Sequence, residues 1–155
     1  MQGKIILPNE FLSVAEEELK EGRGVKLLAD GCSMFPFIRG GQDFAEIIPL
    51  PDDKKLERWM VYLFKYRGRY TIHRLIGKEG DVLIMAGDGN INIEEKILRE
   101  DIIGVLGRIH KSGGKLVDTQ SKYWKIKGKI WHRLFPLRKY LLAIFRRLYR
   151  YGIIK

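Results

Sequence analysis

The chain has 155 residues, of which 45% are apolar, and its 29 basic and 19 acidic side chains give a net charge of +10. A chain of this length forms one compact domain that buries about 70% of its unfolded surface. The single cysteine excludes an intramolecular disulfide and a thiol-based zinc site, and it favours a reducing compartment. We expect neither a metal nor a cofactor.

The N-terminal region predicts a helix but no signal peptide. Asn9 can cap this helix and Gly22 can end it, and the apolar residues between them follow helical spacing: Phe11, Leu12, Ala15 and Leu19. No basic region precedes an apolar segment here, and no window of about 18 uncharged apolar residues occurs in the sequence. We therefore expect a cytoplasmic protein without a membrane anchor.

From Val25 to His110 the sequence predicts a compact, mainly antiparallel β domain. Runs of β-branched and aromatic residues alternate there with turn segments rich in glycine, aspartate and proline. The runs are VKLLA, FAEIIP, WMVYLFKY, RYTIHRLI, DVLIMA and IIGVLGRIH. The segment KYRGRY predicts a hairpin around Gly68 that pairs the strand ending at Tyr66 with the strand that contains His73.

The end of the chain is basic. All 19 acidic residues lie at or before Asp118, whereas 11 of the 29 basic residues lie after it. We therefore distinguish a body, residues 1–118 with a net charge of −1, from a tail, residues 119–155 with a net charge of +11. From Lys129 the tail predicts an amphipathic helix, and Pro136 marks its first turn or a kink. Its apolar residues are Leu134, Leu137, Leu141, Ile144, Phe145 and Leu148.

Three roles are open for this helix. A cationic helix with aromatic residues suits the surface of an anionic membrane. In this role, residues 129–152 would contact the inner face of the membrane. Alternatively, the apolar stripe packs on the body and the charges are solvated. Nucleic-acid binding is the third role, although the tail contains no RNA-recognition signature.

Ser33, in the segment GCSMFP, is a candidate nucleophile. A serine hydroxyl needs a neighbouring base, and among the three histidines only His73 lies in a strong strand pattern. His110 and His132 are typical of surface or tail positions. Asp88, in MAGDGN, is the candidate that would orient His73. The pattern alone also fits a structural strand histidine and an Asx turn at Asp88.

Three segments resemble the sequence boxes of the S24/S26 serine peptidases, the superfamily of type I signal peptidases and LexA-like self-cleaving repressors. GCSMFPFIRGGQD is similar to the nucleophile box, YTIHRLIG to the second box of the Ser–His branch, and AGDGN to its third box. The boxes occur in the family's order. The resemblance implies a LexA/signal-peptidase-like antiparallel β domain. With the predicted N-terminal and C-terminal helices, the fold class is α+β, mainly β.

The resemblance also implies the activity of a serine endopeptidase. Ser33 is then the nucleophile, His73 the general base and Asp88 the residue that orients it, while the Ser33 backbone N–H donates to the oxyanion. Gly31 permits a tight entry to the loop, and Met34 anchors it by burying its thioether. The family's substrate is an extended strand with small side chains before the cut. Because the anchor of signal peptidases and the DNA-binding domain of repressors are missing, we expect an intracellular precursor or leader peptide as substrate.

Several residues depart from the family's pattern or leave alternatives. Gln42 is inserted into the family's Gly-Asp pair, which puts the structural role of Asp43 in doubt. Cys32 is either a small buried filler or a rival nucleophile in a Cys–His pair. Lys65 and Lys78 are expected to be solvated rather than to form a Ser–Lys dyad.

Two other functions stay open. The chain fits a non-catalytic S24/S26-like module for peptide binding or regulation, and it fits a basic nucleic-acid-associated protein that acts through its tail.

Overall fold

The computed structural model describes residues 5–6 and 12–154. In chain order the helices are α1 (Leu12–Lys20), α2 (Lys122–Arg133) and α3 (Phe135–Arg150). The strands are β1 (Ile5–Ile6), β2 (Val25–Leu28), β3 (Phe44–Pro49), β4 (Val61–Tyr66), β5 (Arg69–Glu79), β6 (Val82–Ala86), β7 (Glu94–Ile97), β8 (Ile102–His110) and β9 (Leu116–Asp118). Asn9 and Phe11, which belong to the predicted first helix, lie outside the described residues.

Helix α1 is followed by Gly22, which adopts the left-handed backbone conformation that ends many helices. Gly22 has a φ of +80°, its N–H donates to the Leu19 carbonyl, and the Arg23 N–H donates to the Glu18 carbonyl. These two bonds form a Schellman motif, which satisfies carbonyls that the helix leaves free. The predicted end of the helix is confirmed. Ala15 and Leu19 are buried and attach α1 to the core.

The strands form one mostly antiparallel sheet. Within the described ranges, its order is β1-β2-β3-β8-β4-β5-β6-β7, with β9 beside β8, and only β1 and β2 run parallel. All six predicted strands are present, so a mainly antiparallel α+β architecture is confirmed. Strands β1, β7 and β9 were not predicted, because II, EEKI and LVD are too short to stand out and the last two also carry charges.

The predicted hairpin joins β4 to β5. Its loop is Arg67 and Gly68, with φ of +49° and +76°, which is the conformation of a type I′ turn. Tyr66 pairs with Arg69 at the turn, and the same register places His73 opposite Tyr62. The hairpin thus fixes the position of His73 along the sheet.

Two hydrophobic clusters form the core of the sheet, and β4 contributes to both. Val61 and Leu63 join the cluster that contains α1, whereas Tyr62 and Phe64 join the second cluster. Successive side chains of a strand point to opposite faces, so a strand buried on both sides is apolar throughout. This explains the unbroken run VYLF.

The tail forms two helices rather than the single one predicted from Lys129. Ser121 caps α2 by accepting from the Trp124 N–H at 3.2 Å. Pro136 lies in the first turn of α3. Of the two predictions for this proline, a first turn or a kink, the first is confirmed. Both helices pack on the body, because Trp124, Trp131 and Leu142 are buried.

The apolar stripe of the tail is divided between the body and solvent. Leu141 and Phe145 of this stripe pack against a buried cluster of Phe35, Trp131 and Leu142, of which Leu142 was not among the predicted apolar residues. Leu137 and Ile144 remain exposed. The packing expected for the stripe is therefore confirmed for one face of α3 only. Among the described helices, none has the length and apolar character needed to cross a membrane.

Candidate active site

Residues 31–40, which we call the serine loop, connect β2 to β3. The ends of the loop meet closely, since a Cβ atom on Gly40 would lie 1.9 Å from the Gly31 carbonyl oxygen. Gly31 has a φ of +67°, which favours glycine, so the predicted tight entry is confirmed. Met34 is buried in the core and anchors the loop, also as predicted. Ser33 precedes this anchor and is partly exposed.

His73 lies in β5 and is only 3% exposed. Its Nδ1 atom is 2.8 Å from Oε2 of Glu95, which is also buried. A carboxylate accepts hydrogen bonds, so Nδ1 of a neutral ring carries the hydrogen and Nε2 keeps its lone pair. Nε2 is buried and has no hydrogen-bond partner among the described residues. The contact with Glu95 therefore fixes the tautomer that a general base needs.

Residues 87–90, which we call the glycine loop, bring Ser33 and His73 to one place. A Cβ atom on Gly87 would lie 2.4 Å from the Ser33 carbonyl oxygen and 2.9 Å from Nε2 of His73. Only glycine fits between them. The Gly89 N–H also donates to the Ser33 carbonyl at 2.7 Å. Within the described residues no hydrogen bond joins the Ser33 hydroxyl to Nε2.

Asp88 does not have the partner predicted for it. Its two carboxylate oxygens accept from Nε and a terminal nitrogen of Arg74, at 2.8 and 2.7 Å. The hydrogen bond to Nδ1 of His73 is made instead by Glu95. His73 and Arg74 are neighbours in β5 and point to opposite faces of the sheet. Asp88 lies on the Arg74 face, so the expected contact between Asp88 and His73 is absent and Glu95 makes it instead.

Arg74 is a residue of this region that sequence reasoning missed. It is 1% exposed, it donates to the Trp59 carbonyl as well as to Asp88, and its guanidinium lies 5.1 Å from the Trp124 ring centre. A buried arginine is usually paired with a carboxylate, which offsets the cost of removing its charge from water. An arginine inside an otherwise buried strand was therefore the signal that could have linked Arg74 to Asp88.

Glu95 was missed for a different reason. It belongs to β7, in which Glu94 and Lys96 are exposed while Glu95 and Ile97 point inward. The period of two is that of a strand, but a carboxylate occupies one of the inward positions. An inward charge hides the hydrophobic alternation that identifies a half-buried strand.

Asp43 closes the serine loop against the hairpin between β8 and β9. Its fully buried carboxylate accepts from Arg39, from Lys111 and from the backbone N–H of Ser112. Burial raises the pKa of Asp43, but the hydrogen bonds from Arg39 and Lys111 outweigh it and hold the pKa below its ordinary value. Gln42 is exposed, so the inserted residue is accommodated without displacing Asp43 from this structural position.

The other candidates for a catalytic role, Cys32, Lys65 and Lys78, are all exposed. Cys32 is exposed, so the expectation of a buried filler is wrong, because its side chain faces solvent at the start of the serine loop. Lys65 and Lys78 are exposed, as predicted, which leaves no desolvated lysine at either of these positions. The described residues contain no group of three His, Cys, Asp or Glu side chains that converge to hold a metal ion.

A cleft of about 260 Å³ opens beside Ser33. Most of its lining is apolar and includes Leu12, Leu27, Met34, Ile38, Leu63 and Ile72. Residues 70–72 of β5 also border it, and β6 pairs with β5 only from Arg74 onward. In the described part of the chain, the edge of residues 70–72 that faces away from β4 therefore has no strand partner.

The sequence matches no protein-family model and no curated protein at a significant level. The likeness to S24/S26 peptidases accordingly depends on the three sequence boxes.

Proposed function

We propose that the protein is a serine endopeptidase of the S24/S26 type, with a LexA/signal-peptidase-like catalytic domain, that cleaves a precursor or leader peptide. The observation that carries this proposal is the state of His73. The ring is buried, its Nδ1 is bound by Glu95, and its free Nε2 borders the same space as the Ser33 backbone. Most buried polar atoms of proteins are hydrogen-bonded. Nδ1 of His132 is also buried and unpaired, so the unpaired Nε2 of His73 supports the proposal through its position beside Ser33.

In the proposed mechanism, Nε2 of His73 takes the proton of the Ser33 hydroxyl as the oxygen attacks the peptide carbonyl. Glu95 stabilises the imidazolium that forms. The same nitrogen then returns the proton to the departing amine, and water hydrolyses the acyl-enzyme with His73 again as the base. The Ser33 backbone N–H, which donates no hydrogen bond within the described residues, is available to the oxyanion.

The substrate is proposed to bind as an extended strand along the free edge of residues 70–72. A peptide there can form backbone hydrogen bonds with β5 while one of its side chains enters the cleft. The cleft holds about 260 Å³ and is mostly apolar, which suits a small or medium aliphatic side chain close to the cut. This position places the scissile carbonyl near Ser33.

The tail is proposed to hold the enzyme at the inner face of an anionic membrane. The inner faces of α2 and α3 pack on the body, while the exposed faces carry large apolar residues: Ile126, Ile130, Leu137, Tyr140 and Ile144. Basic residues flank them, and the tail contains no acidic residue. An exposed surface of this composition fits the headgroup region of anionic lipid.

The deciding experiment is labelling with a fluorophosphonate, which reacts only with an activated serine. We expect labelling of the wild-type protein at Ser33, mapped by peptide mass spectrometry, and none in Ser33→Ala. His73→Ala should also remain unlabelled, which shows that the reaction depends on the base. A folded wild-type protein that never reacts would contradict the proposal and favour the non-catalytic peptide-binding module.

A further inference from the structure

A second cavity, of about 810 Å³, lies between the serine loop, the hairpin that joins β8 to β9, and both helices of the tail. We call it the basic pocket. Among the residues that the structure describes, the charged ones lining it are cations: Arg39, Lys111, Lys115, Lys127 and Arg150. Its volume lies within the range of about 300–1,000 Å³ that is typical of small-molecule sites. The proposed catalytic mechanism does not use it.

Only part of this positive charge is neutralised by the protein. Asp43 pairs with Arg39 at 3.0 Å and with Lys111 at 2.9 Å. Lys115, Lys127 and Arg150 have no carboxylate within 4.0 Å among the described residues. These three cations come from β8–β9, α2 and α3, and the fold brings them to one cavity. Because no carboxylate of the described residues neutralises them, these cations favour an anionic ligand.

The walls between the cations are aromatic. Phe35, Phe37, Trp124 and Tyr149 line the cavity, and the Lys127 ammonium lies 5.7 Å from the Phe37 ring centre. Gly152 and Ile154 complete the lining at the end of α3. Tyr151, which precedes Gly152, and Ile153, which lies between Gly152 and Ile154, are exposed. The pocket therefore adjoins an exposed apolar segment.

We propose that the basic pocket binds the phosphate of an anionic phospholipid headgroup. Phosphate presents several acceptor oxygens to lysine and arginine donors, and such charge-assisted hydrogen bonds are about twice as strong as neutral ones. The aromatic walls contact the glycerol, and Tyr151 and Ile153 enter the adjoining interface. The proposal rests on the membrane contact proposed for the tail, and it is independent of the peptidase chemistry.

The first test compares two variants of equal charge in vesicle co-sedimentation. Lys115→Gln/Lys127→Gln removes two cations of the pocket, while Lys129→Gln/Arg146→Gln removes two exposed cations of α2 and α3 that do not line it. With vesicles of phosphatidylcholine and phosphatidylglycerol, we expect the pocket variant to bind about tenfold more weakly than the matched control. Equal binding by the two variants would overturn the proposal and leave a diffuse electrostatic contact.

The second test identifies the ligand by amide chemical shifts of the full chain. Dihexanoyl phosphatidylglycerol, kept below the concentration at which it forms micelles, should shift Gly113 and Lys127 in a saturable way. Glycerol phosphate should shift them only at much higher concentration. If glycerol phosphate binds as tightly, the pocket takes a soluble phosphate ester and the lipid assignment is wrong. Wild-type protein that binds no anionic vesicle would overturn the membrane contact as well.

Discussion

At the scale of single residues, strand β5 keeps two buried contacts with carboxylates apart, one made by a histidine and one by an arginine. His73 and Arg74 are adjacent in β5, and each has its own carboxylate, Glu95 and Asp88 respectively. Because the strand points the two side chains to opposite faces, the arginine cannot take the carboxylate that orients the histidine. Asp88 instead fixes the glycine loop, which in turn holds the backbone of Ser33.

The nucleophile is the first prediction at this scale. Ser33→Ala and His73→Ala should each lower the cleavage rate by at least about 10⁴-fold, since the two residues act as one unit. Cys32→Ser should cleave close to the wild-type rate, because the Cys32 thiol is exposed and Ser33 supplies the nucleophile. The measurement is turnover of a peptide by purified variants. An active Ser33→Ala beside an inactive Cys32→Ser would make the protein a cysteine peptidase.

Glu95 gives a prediction that separates positioning from folding. Glu95→Ala should lower kcat by about 10²–10⁴-fold with little change in KM, because the residue acts on His73 and not on the substrate. Glu95→Gln should lose at least as much, since its amide group can donate to Nδ1 and favour the tautomer whose Nε2 carries the hydrogen, and it has no charge to stabilise the imidazolium. The kinetic constants of both variants, compared at equal folded fraction, give the measurement.

Asp88→Asn is the matched control for Glu95. It leaves Arg74 without its carboxylate, which should lower the free energy of unfolding by about 3–5 kcal/mol. The hydrogen bond between Glu95 and His73 stays in place, so the protein that remains folded should still cleave. A specific loss of kcat in Asp88→Asn, with Glu95→Ala fully active, would restore Asp88 as the orienting residue.

Asp43 makes stability depend on pH. Its pKa in the folded protein is held below the ordinary value, which is about 3.9 in an unfolded chain. Its contribution is therefore complete above about pH 4 and is lost as pH falls through the lower folded pKa. Asp43→Asn should lower the free energy of unfolding by about 3 kcal/mol at neutral pH and flatten its fall in acid. Urea unfolding at several pH values measures both effects, and parallel curves for the two proteins would contradict the assignment.

At the scale of elements, the sequence predicted the helices, strands and turns that local patterns determine. The alternating and continuous apolar runs located six strands, and the dipeptide Arg67-Gly68 located the hairpin. The prediction for the partner of His73 was wrong, because that partner depends on contacts between elements that are distant in sequence. Nothing local distinguishes Asp88 from Glu95 as the partner of His73, because that choice is made by the faces of β5 and by the position of β7 in the sheet. The division of the tail at Leu134, in contrast, has a local signal, because Pro136 lies in the first turn of α3 and lacks the N–H that a continuous helix would use.

The two faces of α3 give the prediction for this scale. Leu142 is 1% exposed, so Leu142→Ala should lower the free energy of unfolding by about 2–5 kcal/mol. Leu137→Ala/Ile144→Ala changes exposed side chains and should unfold like the wild-type protein. The same double variant should nevertheless bind anionic vesicles more weakly, because it removes apolar area that enters the membrane. Unchanged binding would show that the exposed face of α3 does not insert.

At the scale of the whole molecule, charge and chemistry occupy different parts of the chain. The body, with Ser33, His73 and Glu95, has a net charge of −1, whereas the tail has +11. The tail is nevertheless part of the fold, because Trp124 belongs to the same core cluster as α1 and the Trp131 indole donates to the Asp88 carbonyl at 2.8 Å. Removal of residues 122–155 would therefore expose core, and location has to be tested with the full chain.

The last prediction follows from this separation and compares one cleavable peptide in two forms. With the peptide free in solution, salt should change the rate little, because His73 and Glu95 are buried and the body is nearly neutral. With the peptide attached to a lipid in anionic vesicles, low salt should raise the rate by concentrating enzyme and substrate on one surface, since each basic residue near it contributes about 1 kcal/mol. High salt should abolish that gain, and vesicles of phosphatidylcholine alone should never produce it. A gain that is equal on neutral and anionic vesicles would show that the charge of the tail does not direct the enzyme to its substrate.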